Sequence, residues 1–207
     1  MQVCACREVH TLKRIVLTGG PGAGKTAVLE LCRQYLCVHA KLLPESASLL
    51  FSGGFPRTGL TAQRAATQRA IYHVQRELER IGELDQPAIL LCDRGTVDGA
   101  AYWPGPGSLF EAVGTTRELE VQRYDVVVHL RTPPAPEYNH DNPWRYETAL
   151  EAAVIDARIA EAWQGHPRCL VVDNHVDFLV KAQRALALLR AELPECCRAR
   201  LPAFGEP

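Results

Sequence analysis

Residues 19–26 read GGPGAGKT and fit the pattern G-x-x-x-x-G-K-[ST]. A short apolar, β-branched run precedes them, and residues 27–36 follow with the spacing of an amphipathic helix. In this strand-loop-helix context, glycines let backbone N–H groups converge on phosphate oxygens, Lys25 reaches the β- and γ-phosphates, and Thr26 is a ligand for Mg²⁺. Both flanks argue against the alternative, a glycine-rich turn that matches by chance. The predicted nucleotide contacts are Gly19, Gly20, Pro21, Gly22, Ala23, Gly24, Lys25, Thr26 and Ala27.

Length and charge exclude several classes of protein. The 207 residues suit one domain, and 47% hydrophobic with 23% charged residues is typical of a soluble globular chain. A formal net charge of −1 gives no electrostatic case for a nucleic-acid or membrane partner. No apolar run approaches the roughly 20 residues of a membrane span, and residues 1–8 lack a signal-peptide core. We therefore expect a cytoplasmic protein.

Eight cysteines raise the question of disulfides or zinc. Cys32, Cys37, Cys92 and Cys169 fall inside apolar patterns, where reduced cysteine is a common small core residue. The terminal pairs Cys4/Cys6 and Cys196/Cys197 lack C-x-x-C spacing, so the sequence favours no metal there.

Apolar runs alternate with helical patterns along the chain, which predicts an α/β fold with about five parallel strands and helices on both faces. One domain is predicted over residues 13–193, with an irregular leader at 1–12, a proline-rich lid at 131–146 and a tail at 194–207. The predicted strands are 13–18, 39–43, 87–92, 125–130 and 168–172, and the predicted helices are 27–36, 60–82, 115–123, 147–163 and 177–193.

Two of these helices carry apolar stripes that predict their buried faces. The stripe of the first is Ala66, Ala70, Ile71, Val74, Leu78 and Ile81, and that of the second is Leu150, Ala153, Val154, Ala157, Ala160 and Trp163. His129 and His166 are interpreted as core or turn residues rather than catalysts.

Ligands of such sheets bind beyond the carboxyl ends of the strands, which makes three side chains there catalytic candidates. Asp93 is placed to hold Mg²⁺, or alternatively caps the next turn or pairs with Arg94. Arg94 either grips phosphate or forms a structural ion pair. Glu45 either orients an attacking hydroxyl or is a first-turn helix acid stabilised by the helix dipole.

Weaker candidates lie in loops. Arg131 and Arg145 of the lid are placed to close over a nucleotide, although exposed arginines would look the same in sequence. Arg57, Asp98, Tyr102 and Trp103 are candidates for contacts to a second substrate.

The chain resembles the small P-loop ATPase and kinase family, many of whose members carry a generic AAA-domain label. The resemblance rests on the phosphate loop, on residues 43–47, 91–95 and 172–174, and on Asp98 with Tyr102 and Arg145 with Glu147. Relatives of this family include the ribosylnicotinamide kinase domain of bacterial NAD regulators and, more distantly, deoxynucleoside and thymidylate kinases. The resemblance implies a P-loop NTPase three-layer sandwich that uses ATP and Mg²⁺. It also implies an acceptor-side base at Glu45, a reaction centre at Asp93 and Arg94, Arg145 in the lid, and Asp173 and Asn174 near adenine.

The sequence thus predicts an ATP- and Mg²⁺-dependent kinase that acts on a small, nucleoside-like or other metabolite. Two alternatives stay open, a nucleotide-hydrolysing switch without a small-molecule acceptor and a nucleotide-binding structural protein.

Overall fold

The computed structural model describes residues 6, 9–57, 59–138, 147–174 and 177–198. Strands and helices alternate through most of this range, as the hydrophobic pattern predicts. The strands are β1 (Lys13–Thr18), β2 (Ala40–Leu43), β3 (Ile89–Asp93), β4 (Val126–Leu130) and β5 (Cys169–Val172). The α-helices are α1 (Lys25–Tyr35), α2 (Ser46–Ser52), α3 (Thr61–Glu83), α4 (Leu109–Ala112), α5 (Arg117–Val121), α6 (Ala149–Ala162), α7 (Phe178–Ala191) and α8 (Glu195–Arg198).

All five strands are parallel and lie in the order β2-β3-β1-β4-β5. Their carboxyl ends meet at one edge, because Leu17 of β1 is level with Asp93 of β3 and Leu43 of β2 is level with Cys92. The predicted fold class, a parallel sheet of about five strands with helices on both faces, is confirmed. The phosphate loop leaves the central strand β1, so neighbouring strands deliver side chains to both of its sides.

Alternate side chains of the strands build two cores. Ile15 and Leu17 of β1 face a core shared with α1 and α7, while Val16 faces a second core that contains Trp163. The continuous apolar strands β3 and β4 are buried on both faces, as expected for the interior of a parallel sheet. This packing holds the carboxyl edge of the sheet rigidly.

The buried faces of α3 and α6 differ from the predicted stripes. Ile81 is 59% exposed and Leu150 is 76% exposed, whereas the buried residues are Thr67, Tyr72, Gln75, Glu79 and Gly82 in α3, and Ala152, Asp156 and Ile159 in α6. Of the predicted α6 stripe, Trp163 is buried as expected. Both predictions were wrong because these faces carry buried polar groups, which a search for apolar periodicity passes over.

Three short helices lie in segments to which the sequence pattern did not assign a helix: α2 after Glu45, α4, and α8 at the start of the predicted tail. The segment after Arg94, whose glycines, prolines and aromatic residues predict a functional loop or a short broken helix, contains a 3₁₀-helix at Thr96–Tyr102. His129 and His166 are buried and hydrogen-bonded, which confirms their structural interpretation. No helix in the described ranges has both the length and the hydrophobicity to cross a bilayer.

Candidate active site

The phosphate loop turns sharply between β1 and α1. Gly19, Gly22 and Gly24 have φ of +136°, +75° and +93°, a region that side chains with a Cβ rarely adopt. A Cβ on Gly19 would lie 2.0 Å from the Leu130 carbonyl oxygen, so this position requires glycine for space as well. Lys25 begins α1 and donates from Nζ to the carbonyl oxygens of Gly19, at 2.7 Å, and Gly20, at 3.1 Å. Its ammonium group therefore lies directly over the loop.

The loop is anchored from β4 and α6. Asp156 accepts hydrogen bonds from the Gly20 backbone N–H, at 3.0 Å, and pairs with His129 Nε2, at 2.8 Å. Its second oxygen lies 3.2 Å from Arg131 Nη1, and these contacts outweigh burial and lower the pKa of Asp156. Sequence reasoning missed Asp156, because a single aspartate in a helical segment carries no motif.

Asp156→Ala should lower the free energy of unfolding by about 3 kcal/mol, because His129 and the Gly20 N–H would lose a buried partner. Urea unfolding of the variant measures the loss. Asp125→Ala is the matched control, since Asp125 also accepts a backbone N–H, from Arg14, but at an exposed site. Equal losses in the two variants would contradict the anchoring role of Asp156.

Three of the predicted catalytic residues meet beside the loop. Arg94 donates from Nε to Glu45 Oε1 at 2.7 Å, and its Nη1 lies 3.4 Å from Asp98 Oδ1. Asp93 ends β3 immediately before it. Lys25 is close enough to interact electrostatically with Arg94, Asp93 and Glu45. The structure therefore brings these four residues together, as predicted.

An unusual backbone conformation directs Arg94 toward Glu45. Arg94 has φ of +69°, which is uncommon for a residue with a side chain, while its N–H still bonds to the Leu17 carbonyl at 3.1 Å. Burial lowers the pKa of the Arg94 guanidinium, but electrostatic interactions with Tyr102 and Glu45 have a larger combined effect and hold this pKa above its usual range. Strain of this kind persists where the surroundings fix it, and it is common at functional sites.

Glu45 is held ionised by its neighbours. Burial alone would raise its pKa, but Arg94, the Ser48 hydroxyl and Lys25 together lower it. Glu45 immediately precedes α2 without capping it through its side chain, so the carboxylate faces Arg94 and Ser48 instead.

Asp98 serves a structural role that the sequence did not predict. Its carboxylate is 2% exposed and accepts hydrogen bonds from the Thr18 hydroxyl, the Gly95 N–H and Trp163 Nε1. Asp98 therefore fixes the turn that carries Arg94.

Asp93 and Thr26 fit a magnesium ion. Both line the cavity above the loop, and Asp93 Oδ1 is buried without a hydrogen-bond partner among the described residues. Hard divalent cations prefer carboxylate and hydroxyl oxygens, and a buried carboxylate oxygen without a partner is stabilised by such an ion. Burial, followed by the charge of Glu45, raises the pKa of Asp93 to about 6.

This shift predicts the pH dependence of stability in the metal-free protein. Because the folded pKa exceeds the ordinary value of 3.8, Asp93 adds stability below about pH 4, and this contribution is lost as the pH rises through about 6. Urea unfolding of the wild type and of Asp93→Asn across this range measures it. The wild type should lose stability relative to the variant as the pH rises, and a constant difference would contradict the prediction.

The other end of the cavity lies between the predicted lid and α7. Asn174, Phe178 and Lys181 line it, and Lys181 Nζ donates to Asn174 Oδ1 at 2.6 Å. Burial lowers the pKa of Lys181 to about 8. The predicted residue Asp173 is exposed and is not among the described residues that line the cavity. Sequence reasoning did not identify Phe178 and Lys181 as site residues, because they lie within a helix that shows no motif.

The lid is described in part. Residues 131–138 include a 3₁₀-helix at Ala135–Glu137, and Tyr138 packs so closely on Gly22 that a Cβ there would lie 2.6 Å from its ring. Arg145 lies outside the described residues, so its predicted role stays a prediction. Arg131 pairs with Asp156, which supports the loop from below.

The remaining cavity wall comes from α2, α3 and the 3₁₀-helix after Arg94. Tyr102 lies under Arg94, with its ring centroid 5.5 Å from Arg94 Cζ, and Arg57 lies 4.1 Å over the Phe51 ring. Gln75 of α3 is 1% exposed, and its Oε1 has no hydrogen-bond partner within the described part of the chain. Arg57, Asp98 and Tyr102 line the cavity, whereas Trp103 is not among the described lining residues. Their predicted contacts to a second substrate stay a prediction.

The two ends form one continuous cavity of about 1450 Å³. Sites for a single small ligand usually have volumes of about 300–1,000 Å³. The cavity therefore has room for a nucleotide on the loop and a second small molecule against α3.

A five-stranded parallel sheet with a phosphate loop after its central strand defines a P-loop protein of the nucleotide-kinase fold. The chain belongs to the AAA-domain family, because the model of that family matches residues 14–179, more than half of the chain. No curated protein sequence matched it.

Solved structures share this fold at low sequence identity. Thymidylate kinase from Ehrlichia chaffeensis is 16% identical with a TM-score of 0.53, and the match covers 86% of this chain and 98% of that one. Thymidylate kinase from Candida albicans is 15% identical with a TM-score of 0.53, covering 87% and 92%. NadR in complex with NR is 14% identical with a TM-score of 0.65, covering 94% of this chain and 54% of that one. These similarities establish the fold.

Proposed function

We propose that this protein is a Mg²⁺- and ATP-dependent kinase that phosphorylates the hydroxyl or phosphate group of a small, nucleoside-like metabolite. The observation that carries the proposal is the continuous cavity, in which Lys25, Asp93, Glu45 and Arg94 lie between a nucleotide end and a separate polar and aromatic end. A protein that merely hydrolyses a nucleotide does not need this second compartment. The complex of NadR with NAD and AMP-PNP, a 13% identical structure with a TM-score of 0.59, is consistent with a nucleotide in a cavity of this fold.

Each residue of the site has a separate proposed role in phosphoryl transfer. Backbone N–H groups of residues 19–26 and the Lys25 ammonium hold the phosphates, which mainly need positioning and charge neutralisation. Asp93 and Thr26 are the proposed ligands of Mg²⁺, which would neutralise charge on the transferred group. Arg94, which lines the cavity beside Glu45, is the proposed contact to the transferred phosphoryl group.

Glu45 is the proposed acceptor-side residue. Because its pKa is lowered, it is an ionised carboxylate at neutral pH and accepts a hydrogen bond from the acceptor hydroxyl. This contact orients the nucleophile toward the γ-phosphate. A strong base is not needed, since phosphoryl transfer depends mainly on alignment and electrostatics.

The second compartment suggests the chemistry of the acceptor. Aromatic rings of Phe51, Tyr72 and Tyr102 offer stacking surfaces, and the amide of Gln75 offers a buried oxygen to an N–H or O–H group. Arg57 at the wall suits an anionic substituent. A hydroxyl-bearing molecule with a flat polar ring matches these features, which is why we propose a nucleoside-like acceptor.

ADP release from Mg²⁺-ATP tests the proposal, measured with and without pools of nucleosides, nucleotides and ribosylated vitamins. We expect one pool to raise the rate at least tenfold, and fractionation of that pool then identifies the acceptor. Slow turnover that no pool stimulates would favour the alternative, a nucleotide-hydrolysing switch.

A further inference from the structure

Three segments that are distant in sequence bring cysteine and histidine side chains together at the end of the sheet opposite the cavity. Cys6 and His10 precede β1, Cys37 and His39 precede β2, and Cys196 and Cys197 lie in α8. The amino ends of parallel strands meet at this edge, whereas the phosphate loop leaves the carboxyl edge. The cluster is therefore separate from the candidate active site.

The distances in this cluster match those between zinc ligands. His10 Nε2 lies 3.7 Å from Cys6 Sγ and 3.5 Å from Cys196 Sγ, and His39 Nδ1 lies 4.0 Å from Cys196 Sγ. Tetrahedral zinc, with bonds of about 2.3 Å to sulfur and about 2.0 Å to nitrogen, separates its ligand atoms by roughly 3.3–3.8 Å. Cys6, His10 and Cys196 already place their ligand atoms within 4.8 Å of one another. His39 Nδ1 lies nearer Cys197 Sγ, at 3.1 Å, so its imidazole must turn toward Cys196 to become the fourth ligand.

We propose that Cys6, His10, His39 and Cys196 form a structural zinc site that joins both ends of the chain to the sheet. The four residues, here called the terminal cluster, form a Cys₂His₂ set, which is a common structural zinc environment. Zinc binding releases one proton from each of the two thiols to solvent, and two thiolates balance the charge of the ion.

The two remaining cysteines complete the surroundings of the terminal cluster. Cys37 and Cys197 form a disulfide, so their sulfurs are not counted as ligands. Cys197 is 1% exposed and packs into the core formed by β1, α1 and α7, which holds α8 and its Cys196 in place. His10 and His39 lie edge to face, with ring centroids 4.8 Å apart, so the two imidazoles are direct neighbours in the terminal cluster.

The proposed zinc site would explain how two short terminal segments are held. Residues 9–12 before β1 form no helix or strand, and α8 has only four residues, so neither segment is stabilised by secondary structure of its own. A four-ligand ion links them to the start of β2 and adds its binding free energy to folding. C-x-x-C spacing is absent because three separate segments supply the ligands.

Zinc content measured by elemental mass spectrometry tests this proposal on the full chain, purified from zinc-supplemented cultures without added reductant so that the Cys37–Cys197 disulfide stays intact. We expect about one zinc per chain, and a cobalt-substituted protein with the intense visible bands of a tetrahedral thiolate site. Cys6→Ser, His10→Ala and Cys196→Ser should each lose most of the metal. Because cobalt spectra are recorded on the wild type, the test holds even where a variant folds poorly.

Two variants serve as controls for the assignment of the zinc ligands. Cys169→Ser lies in β5 and should retain zinc. Lys25→Ala should retain it as well, because the site does not depend on the proposed kinase activity. A wild-type protein without zinc or a cobalt spectrum, or full zinc content in Cys6→Ser and Cys196→Ser, would overturn the proposal.

Discussion

Replacement of Lys25 by alanine is expected to lower kcat/KM for ATP by about a hundredfold to a thousandfold. Lys25 supplies a positive charge over the loop, where it donates to the Gly19 and Gly20 carbonyl oxygens in the absence of nucleotide. Burial and the charge of Arg94 lower the pKa of Lys25 to about 8, because both disfavour the protonated form. A bound phosphate would stabilise that protonated form. Both ATP affinity, measured by calorimetry, and ADP release should decrease.

The matched control is Lys41→Ala. Lys41 lies on β2 and pairs with Asp85 at an exposed site away from the cavity, so both measurements should stay near the wild-type values. The melting temperature of Lys25→Ala should not fall, since the variant removes a group that burial disfavours. ATP binding by Lys25→Ala at near-native affinity would contradict the assignment of the loop.

Glu45→Gln is expected to lower acceptor-stimulated ADP release by about a hundredfold or more while ATP affinity changes little. The amide oxygen of glutamine can still accept from Arg94 Nε, and its N–H can donate to the Ser48 hydroxyl, so the side chain keeps its position. Its lost charge removes the attraction that orients the acceptor hydroxyl. Initial rates with saturating ATP and the stimulating acceptor pool measure the effect.

Glu83→Gln provides the control for a lost Glu–Arg pair. Glu83 ends α3 and pairs with Arg14 at 2.8 Å outside the cavity. We expect its rates to equal those of the wild type. Equal acceptor-stimulated rates in Glu45→Gln and the wild type would remove Glu45 from the reaction and leave the fold assignment intact.

The sheet and the phosphate loop could be predicted from the sequence because both depend on local patterns. Apolar β-branched runs such as β4 have few alternatives to a buried parallel strand, and the loop glycines have φ values that other residues avoid. Because the carboxyl ends of parallel strands meet at one edge of the sheet, the position of Glu45 and Asp93 at that edge could be predicted without knowledge of tertiary contacts.

The parts that could not be predicted depend on contacts between distant segments. Asp156 and Gln75 are buried in helices whose apolar stripes pointed elsewhere, because a polar side chain is buried where it finds a partner or lines a cavity. The terminal cluster is another case, since its ligands are separated by as many as 190 positions and meet through the fold. The spacing of residues along the sequence does not predict such contacts.

Transfer of label from ATP labelled at the γ-phosphate tests the central claim most directly. Mg²⁺, wild-type protein and the stimulating acceptor pool are incubated together, and label in organic product is separated from label in inorganic phosphate. We predict that most label enters one organic product, and that Lys25→Ala and Glu45→Gln each lower this transfer by about a hundredfold or more. Label found in inorganic phosphate alone, at a rate that Glu45→Gln leaves unchanged, would contradict a kinase and support a nucleotide-hydrolysing switch.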